Sequence, residues 1–478
     1  MDTWTDESEA GFEAYVEALI GVIGHADRAE PLKDYCVGLL MPIESKSVEP
    51  LAAVTAPSRV AAKHQSLLHF VGQAPWSDAA LMARVREWVL PQIERHGPIR
   101  AWIVDDTGFP KKGKHSVGVA RQYCGQLGKQ DNCQVAVSLS IANDAASLPI
   151  AYRLYLAHIW AEDPEQRKKA KIPAQITFQT KPQIALEQIE TAKAEGVAPG
   201  VVLADAGYGA DGGFRAGLSE LDVTYVVGVQ PTLSVWRPGE SPLPPKPWSG
   251  RGRPPSRVGR TDNHKPISAK ALAEELDAQT WRTVAWREGT NTELSSRFAA
   301  MRLRPASRDY DRPEPHAEEW LLIEWPEGEA EPSKYWLSTL PADATITQLV
   351  DTAKLRWRIE RDYQDLKQEL GLGHYEGRGW RGVHHHASLC IAAYGFLISL
   401  RETIPPSAPA RAQGRQAPGL PDCYRPRGSS DPTRAARPNL DPDHPPTPHR
   451  RPRQSPSTMS MLHQSHRQSA SGPNVMTQ

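Results

Sequence analysis

The sequence is poor in cysteine: Cys36, Cys124, Cys133, Cys390 and Cys423 are the only five in 478 residues, and no two form a CxxC pair. That spacing excludes a disulfide framework and a structural zinc site, and it fits a reducing, cytoplasmic setting. No apolar run reaches the roughly 18 residues a membrane span needs, so no membrane association is expected. Met1 to Glu7 is acidic where a secretory leader would be basic, so none is expected. Net charge is absent as well, with 56 basic and 56 acidic residues. The balance hides an asymmetry. From Thr403 onward there are ten arginines, no lysine and four aspartates, a net charge of +6 on a mildly acidic body. A basic segment of that kind can serve a polyanion such as nucleic acid.

The chain divides by texture. Residues 1–97 carry apolar residues at helical spacing (Phe12, Tyr15, Val16, Leu19, Ile20 and Ile23, then Leu81, Val85, Trp88 and Val89). Prolines 31, 42, 50, 57 and 75 cut this stretch into short helices, Ser77-Asp78 offers an N-cap, and Gly97-Pro98 a stop. The result is an N-terminal helical domain, for packing or for DNA binding. Residues 98–230 read as an α/β layered sheet. Ile99 to Asp105, Ser116 to Tyr123 and Cys133 to Ile141 form strands, the third alternating as a half-buried strand should. An amphipathic helix over Pro182 to Lys193 leads into Val201 to Ala204, a buried strand that stops at Asp205, and Thr224 to Val229 is another. Residues 231–340 are a β-rich insertion. It opens on an irregular Pro/Gly/Arg loop (Pro231 to Pro266), and strand-like runs follow at Thr283 to Arg287, Phe298 to Leu303, Trp320 to Trp325 and Tyr335 to Ser338. Residues 341–402 hold one long helix from about Thr345 to Leu370, stopped by Gly371, and the end of the core. Residues 403–478, with fifteen prolines and ten arginines, lack the apolar surface for a core and read as a disordered tail.

Three carboxylates carry the chemistry. Two buried strands each deliver an aspartate at the carboxyl end, where an α/β sheet presents its ligands: Asp105 and Asp205. Strand-terminal aspartates are also common caps, so neither is specific by itself. On the long helix Arg356, Glu360 and Lys367 share one face, because eleven residues at about 100° each come close to three full turns. Leu355, Ile359, Tyr363, Leu366 and Leu370 form an adjacent apolar stripe that places this face at the rim of the core. Taken alone, Arg356 and Glu360 could equally be an ordinary surface ion pair.

Together these pieces resemble the DDE transposases of bacterial insertion sequences. Arg356, Glu360 and Lys367 match in residue and spacing the Arg-x3-Glu-x6-Lys part of that family's YREK helix, while Ala353 stands where its tyrosine would be. Val104-Asp105-Asp106-Thr107 resembles the first-Asp strand and Leu203-Ala204-Asp205 the second. The segment from Asp105 to Gly113 matches a subgroup with an Asp-Asp-Thr-Gly-Phe-Pro-Lys-Lys-Gly motif. The resemblance implies a ribonuclease H-like core with Asp205 after its fourth strand. The 154 residues between Asp205 and Glu360 then resemble the insertion some of these enzymes carry.

The activity implied is cleavage at transposon ends followed by strand transfer into target DNA. Two Mg²⁺ ions about 3.5–4 Å apart, with Mn²⁺ able to substitute, would clamp the attacking and leaving oxygens. Hard divalent cations take carboxylate oxygens, so Asp105 as the bridging ligand with Asp205 and Glu360 flanking suffice without His or Cys. Asp106 competes for the first position. Strand alternation allows only one of the pair to face the site, and Asp105 is favoured by the motif and because Thr107 shares its face. Arg356 and Lys367 would hold backbone phosphates. The expected partners are double-stranded DNA (terminal inverted repeats and target) and a second copy of the chain, forming a homodimer on DNA, in a bacterial cytoplasm and on the nucleoid.

Weaker signals surround this group. Lys111, Lys112 and Lys114 form a basic loop after the first strand, suited to phosphate or to solvent. Gly250 to Pro254 resembles an AT-hook core, in which Arg251 and Arg253 would enter a narrow minor groove. His384-His385-His386 resembles a metal cluster, but neighbours on a helix point apart, which leaves a structural or DNA-facing role. Two rival readings exist. A domesticated, catalytically silent transposase acting as a DNA-binding protein would keep the fold. A phosphohydrolase of the haloacid dehalogenase kind would need an aspartate where Thr107 stands.

Overall fold

Helix caps and strand-forming runs set the local structure, and the sheet orders it. The computed structural model describes residues 6–288 and 293–403. The disordered tail expected over 403–478 lies, beyond Thr403, outside the described residues. Five helices come first: α1 (Asp6–Ile20), α2 (Ala29–Leu40), α3 (Val48–Thr55), α4 (Val60–Gly72) and α5 (Asp78–Glu94). Ser77 caps α5 through the Ala80 N–H, as its position predicts. Then come β1 (Ala101–Pro110), β2 (Ala120–Cys124), β3 (Lys129–Ala142) and β4 (Ser147–Leu154). Two short helices, α6 (His158–Ala161) and α7 (Pro164–Ala170), lead to α8 (Lys181–Ala194), which starts on a Thr180/Gln183 capping box. β5 (Val201–Ala204), α9 (Ala206–Gly209), α10 (Gly212–Glu220) and β6 (Tyr225–Val229) follow.

One strand was hidden from sequence. β4 makes Asp205 follow the fifth strand in chain order, not the fourth. Pro149 masks it, because proline cannot donate to a ladder and is tolerated on edge strands and at irregularities. Here β4 pairs only with β3, and Pro149 faces Ser140 at a register shift. β3 also differs from expectation. It is buried on both faces from Cys133 to Ala142, so the alternating serines 138 and 140 are not on a solvent side. Helices cover both faces of the sheet there, and alternation of small polar residues reports pairing, not exposure.

The strand order is β2-β3-β1-β5-β6, with β4 sharing β3's outer edge with β2; β1, β5 and β6 run parallel and β3 is antiparallel to both β1 and β4. The four strand runs expected in the insertion are present. After β7 (Ser234–Val235), β8 (Ile267–Ser268) and α11 (Ala269–Glu274) come β9 (Arg282–Glu288), β10 (Glu293–Leu303), β11 (Glu319–Trp325) and β12 (Lys334–Ser338). They extend the central sheet: β12 pairs antiparallel with β6, and β11, β10 and β9 continue outward. The architecture is therefore mixed α/β around one mixed ten-stranded sheet.

The expected single helix over 345–370 is two. α12 (Ile346–Lys354) and α13 (Trp357–Gln368) are separated by Leu355 and Arg356. Across this break the Arg358 and Ile359 N–H groups donate three residues back, to Leu355 and Arg356, as in a tight 3₁₀ turn. Gly371 does end the segment, at φ 67°. α14 (Trp380–Thr403) runs through the core. Its segment Trp380–Glu402 has the length and composition of a membrane span, yet 89% of its most apolar window is buried inside the protein. The side chains of α1–α5 that face inward join the same hydrophobic core as the sheet and α14. Tyr15 donates to the Ala392 carbonyl at 2.8 Å, and Gly395 lets α5 close in, since a Cβ there would stand 2.9 Å from Val85.

Candidate active site

Parallel pairing of β1 with β5 over Ala101–Ile103 and Val201–Leu203 brings Asp105 and Asp205 to adjacent strand ends. Asp205 begins α9, and its Oδ1 accepts from the Gly207 N–H at 2.8 Å. The turn lies so close on β6 that a Cβ on Gly228 would meet the Ala206 nitrogen at 2.8 Å, so glycine there sets where Asp205 sits. Asp205 is thus both a cap and a member of the site, its Oδ2 3.8 Å from Arg356 Nη2.

The neighbouring aspartates of β1 separate. Asp105 Oδ2 lies 3.4 Å from Arg356 Nη2. Asp106 turns the other way, to Lys181 at 2.9 Å. Burial pushes the Asp105 carboxyl up to about 7, against the pull of Arg356 and with help from Asp205 and Asp106. A carboxyl pushed up by burial beside specific charged partners is the pattern of a functional-site candidate.

α13 is laid along β1. Ser138 pairs opposite Asp105 in the sheet, and its hydroxyl bonds to that of Tyr363. Lys367 Nζ donates to the Gly108 carbonyl at 3.1 Å and lies 5.2 Å from the Phe109 ring. The apolar stripe of Leu355, Ile359, Tyr363, Leu366 and Leu370 is buried throughout. Glu360, one turn after Arg356, has its side chain 70% exposed and meets Arg356 Nη1 at 3.2 Å. The three carboxylates therefore meet through one guanidinium. Among the described residues no three His, Cys, Asp or Glu side chains close directly around a metal position. Arg356 stands between the three. Hard oxygen donors from three elements, gathered on a positive charge, are the donor chemistry of a divalent cation.

The other candidate cations are placed differently. Lys111 Nζ donates to the Tyr375 carbonyl at 3.0 Å, so it ties β1's exit to the loop after α13. It shares a cleft of about 430 Å³ with Lys112, Gly373 and His374. Along the strand Lys111 lies roughly 20 Å beyond Asp105. Arg251 and Arg253 sit in an exposed loop between β7 and β8, and neither pairs with a carboxylate among the described residues. Gly250 and Gly252 hold φ of 82° and 74°, so this loop is bent here. The three histidines are buried and hydrogen-bonded in three directions. His384 faces Trp380 and β4, His385 faces the Val71 and Trp76 carbonyls, and His386 faces Tyr35 and the Gly371 carbonyl. Their roles are structural.

Sequence reasoning missed Lys181, Asp362 and Lys354. Asp362 is fully buried behind Glu360, accepting from Ser147 at 2.5 Å and Tyr394 at 2.8 Å, and burial pushes it up to about 6. Two residues after Glu360, it reads in sequence as one more charge on a polar helix. Lys354 is gripped by Glu324 at 2.6 and 2.8 Å and by the Trp286 ring at 4.1 Å. Only the lack of exposure marks it, and sequence does not show exposure.

Residues 18–293 match the family model described as DDE superfamily endonuclease. A protein named as a probable transposase for insertion sequence element IS701, from Microchaete diplosiphon, is 30% identical over 202 residues, covering 42% of this chain and 49% of that protein. The matched stretch thus spans about half the length of that relative. The family match contains Asp105 and Asp205 and ends before Glu360, whose place in the group rests on geometry.

Proposed function

Because the chain belongs to the DDE superfamily of endonucleases, we propose that it is the transposase of a bacterial insertion sequence, cutting the ends of its element and joining them to target DNA. The observation that carries this reading is the convergence of Asp105, Asp205 and Glu360 on Arg356, from β1, β5 and α13. The order β4-β3-β1-β5-β6, with two antiparallel pairings followed by two parallel ones, supports a ribonuclease H-like core.

Enzymes of this superfamily use divalent metal ions, and here Asp105, Asp205 and Glu360 would hold them, as a pair of Mg²⁺ ions with Mn²⁺ able to substitute. Bound metal supplies activation of water and charge stabilisation on the leaving 3′ oxygen. The chain's own residues do the rest. Burial of Asp105 under α13 keeps bulk water from competing for its oxygens. Lys181 holds Asp106 out of the site. Lys367 braces α13 on Gly108 and presents one side of the DNA path. Lys111 and Lys112 extend that path along β1, Arg251 and Arg253 would reach DNA from the insertion, and α1–α5 within 1–97 serve recognition of the inverted repeats. Two transposon ends are brought together by a homodimer.

The direct test uses a duplex bearing the element's terminal repeat, with Mg²⁺. The parent chain nicks it and Asp205→Asn does not; equal cutting by the two would sink the assignment. A protein that binds the duplex but never cuts it, with all three carboxylates intact, would instead be a silent, DNA-binding relative.

A further inference from the structure

Arg356 occupies an unusual position. Its Nη2 lies 3.4 Å from Asp105 Oδ2 and 3.8 Å from Asp205 Oδ2, while Nη1 lies 3.2 Å from Glu360. Those oxygens belong to the three groups assigned above to metal. Its Nε is buried and has no hydrogen-bond partner among the described residues. Among the described residues its partners are carboxylates: Nη1 donates to Glu360 Oε1, and Nη2 pairs with Asp105 and Asp205 by charge. The residue sits in the break between α12 and α13, where no side chain caps the turn.

A magnesium ion binds carboxylate oxygen at about 2.0–2.1 Å. An ion placed on Asp105 Oδ2 and Asp205 Oδ2 would lie against Nη2, and two positive charges that close repel strongly in a partly buried site. We propose that Arg356 is an internal stand-in for the metal: it holds the three carboxylates together while the site is metal-free, and it must leave them for the metal to enter. This inference rests on the metal reading of the same site and adds a competition that reading does not require. A positioning arginine that merely oriented the carboxylates would strengthen metal binding. A stand-in weakens it.

The two are separated by calorimetric titration of the full chain with Mn²⁺ alone, without DNA. Arg356→Gln is expected to bind Mn²⁺ about tenfold tighter than the parent. Its metal-free melting temperature should fall, from mutual repulsion of the carboxylates, and Mn²⁺ should restore it. Arg356→Lys keeps the charge without the fork and should bind with intermediate affinity. Equal or weaker Mn²⁺ binding by Arg356→Gln, with binding abolished in Asp205→Asn, overturns the stand-in and leaves the metal site standing. Mn²⁺ binding that Asp105→Asn and Asp205→Asn leave untouched overturns the metal reading, and the stand-in with it. Should Arg356→Gln fail to fold, Arg356→Lys decides: affinity at or below the parent's overturns the proposal.

Discussion

On β1 the carboxylates of two consecutive residues face different partners: Asp105 faces Arg356 and Asp205, whereas Asp106 faces Lys181. Each aspartate's role follows from what it faces. Asp105→Asn should therefore cost about two to three orders of magnitude in cutting rate, the scale seen when one charge-stabilising group is removed. Asp106→Asn should leave cutting within about tenfold and lower stability by no more than ~1 kcal/mol, since its pair with Lys181 is partly exposed. Rates on end DNA and urea denaturation measure the two effects. A reversed order would mean that Asp106 supplies the ligand.

At the scale of elements, the break between α12 and α13 is the feature on which the site turns. It is fixed from outside by Lys354, whose ammonium is enclosed by Glu324, Trp286, Phe298 and Trp336 of the insertion strands. Lys354→Met would leave Glu324 buried without its partner, at a cost of about 3–5 kcal/mol. Adding Glu324→Gln should recover part of that loss, and a double-mutant cycle by chemical denaturation reads the coupling. No recovery would mean the grip is apolar, not ionic.

α14 gives a pH dependence. Burial holds His385 and His386 down to about 4, and His384 is lowered as well. In the unfolded chain these side chains take up a proton near the ordinary value of about 6.5. Between about pH 6.5 and pH 4 the unfolded state binds more protons than the folded one, so stability falls as the pH drops through that window and is unaffected by these groups above it. A denaturation series from about pH 8 to pH 4 should show the decline, and replacing His386 by Gln should flatten it. His386 bridges Tyr35 and Gly371, so that variant should also melt earlier at the alkaline end of the series.

On the scale of the whole molecule, α1–α5, α14 and the central sheet share one core. The apolar faces of α1–α5 pack with α14 and the sheet, so removing residues 1–97 would strip α14 of its cover. Such a fragment should aggregate or unfold without cooperativity, read by light scattering and thermal melts. A soluble, cooperative fragment would show instead that the N-terminal helices are a detachable module. Gly395→Ala tests the same packing gently: a Cβ 2.9 Å from Val85 and 3.1 Å from Val89 should cost about 1–3 kcal/mol.

Much of this fold was legible because it is local. Ser77 starts α5 by a contact three residues away, accepting from the Ala80 N–H. Apolar runs ending at Asp105 and Asp205 announce buried strands, and the spacing of Ile359, Tyr363 and Leu366 announces the face of α13. β4 escaped because Pro149 reads as a breaker until its edge position is known. The α12–α13 break escaped because Leu355 and Arg356 are good helix formers, and the turn there is imposed by packing, not by propensity.

The sequence by itself determined which residue types stand at strand ends and on one helical face, since periodicity and capping act over at most a turn. Only the tertiary structure decided that Asp105 rather than Asp106 looks toward Asp205, that Lys367 is engaged by Gly108, and that β9 to β12 widen the central sheet. It also decided that Arg356 gathers carboxylates from residues 105, 205 and 360. Charges that far apart in sequence meet only once the sheet has set their distance, and their pairing is a property of the packed chain.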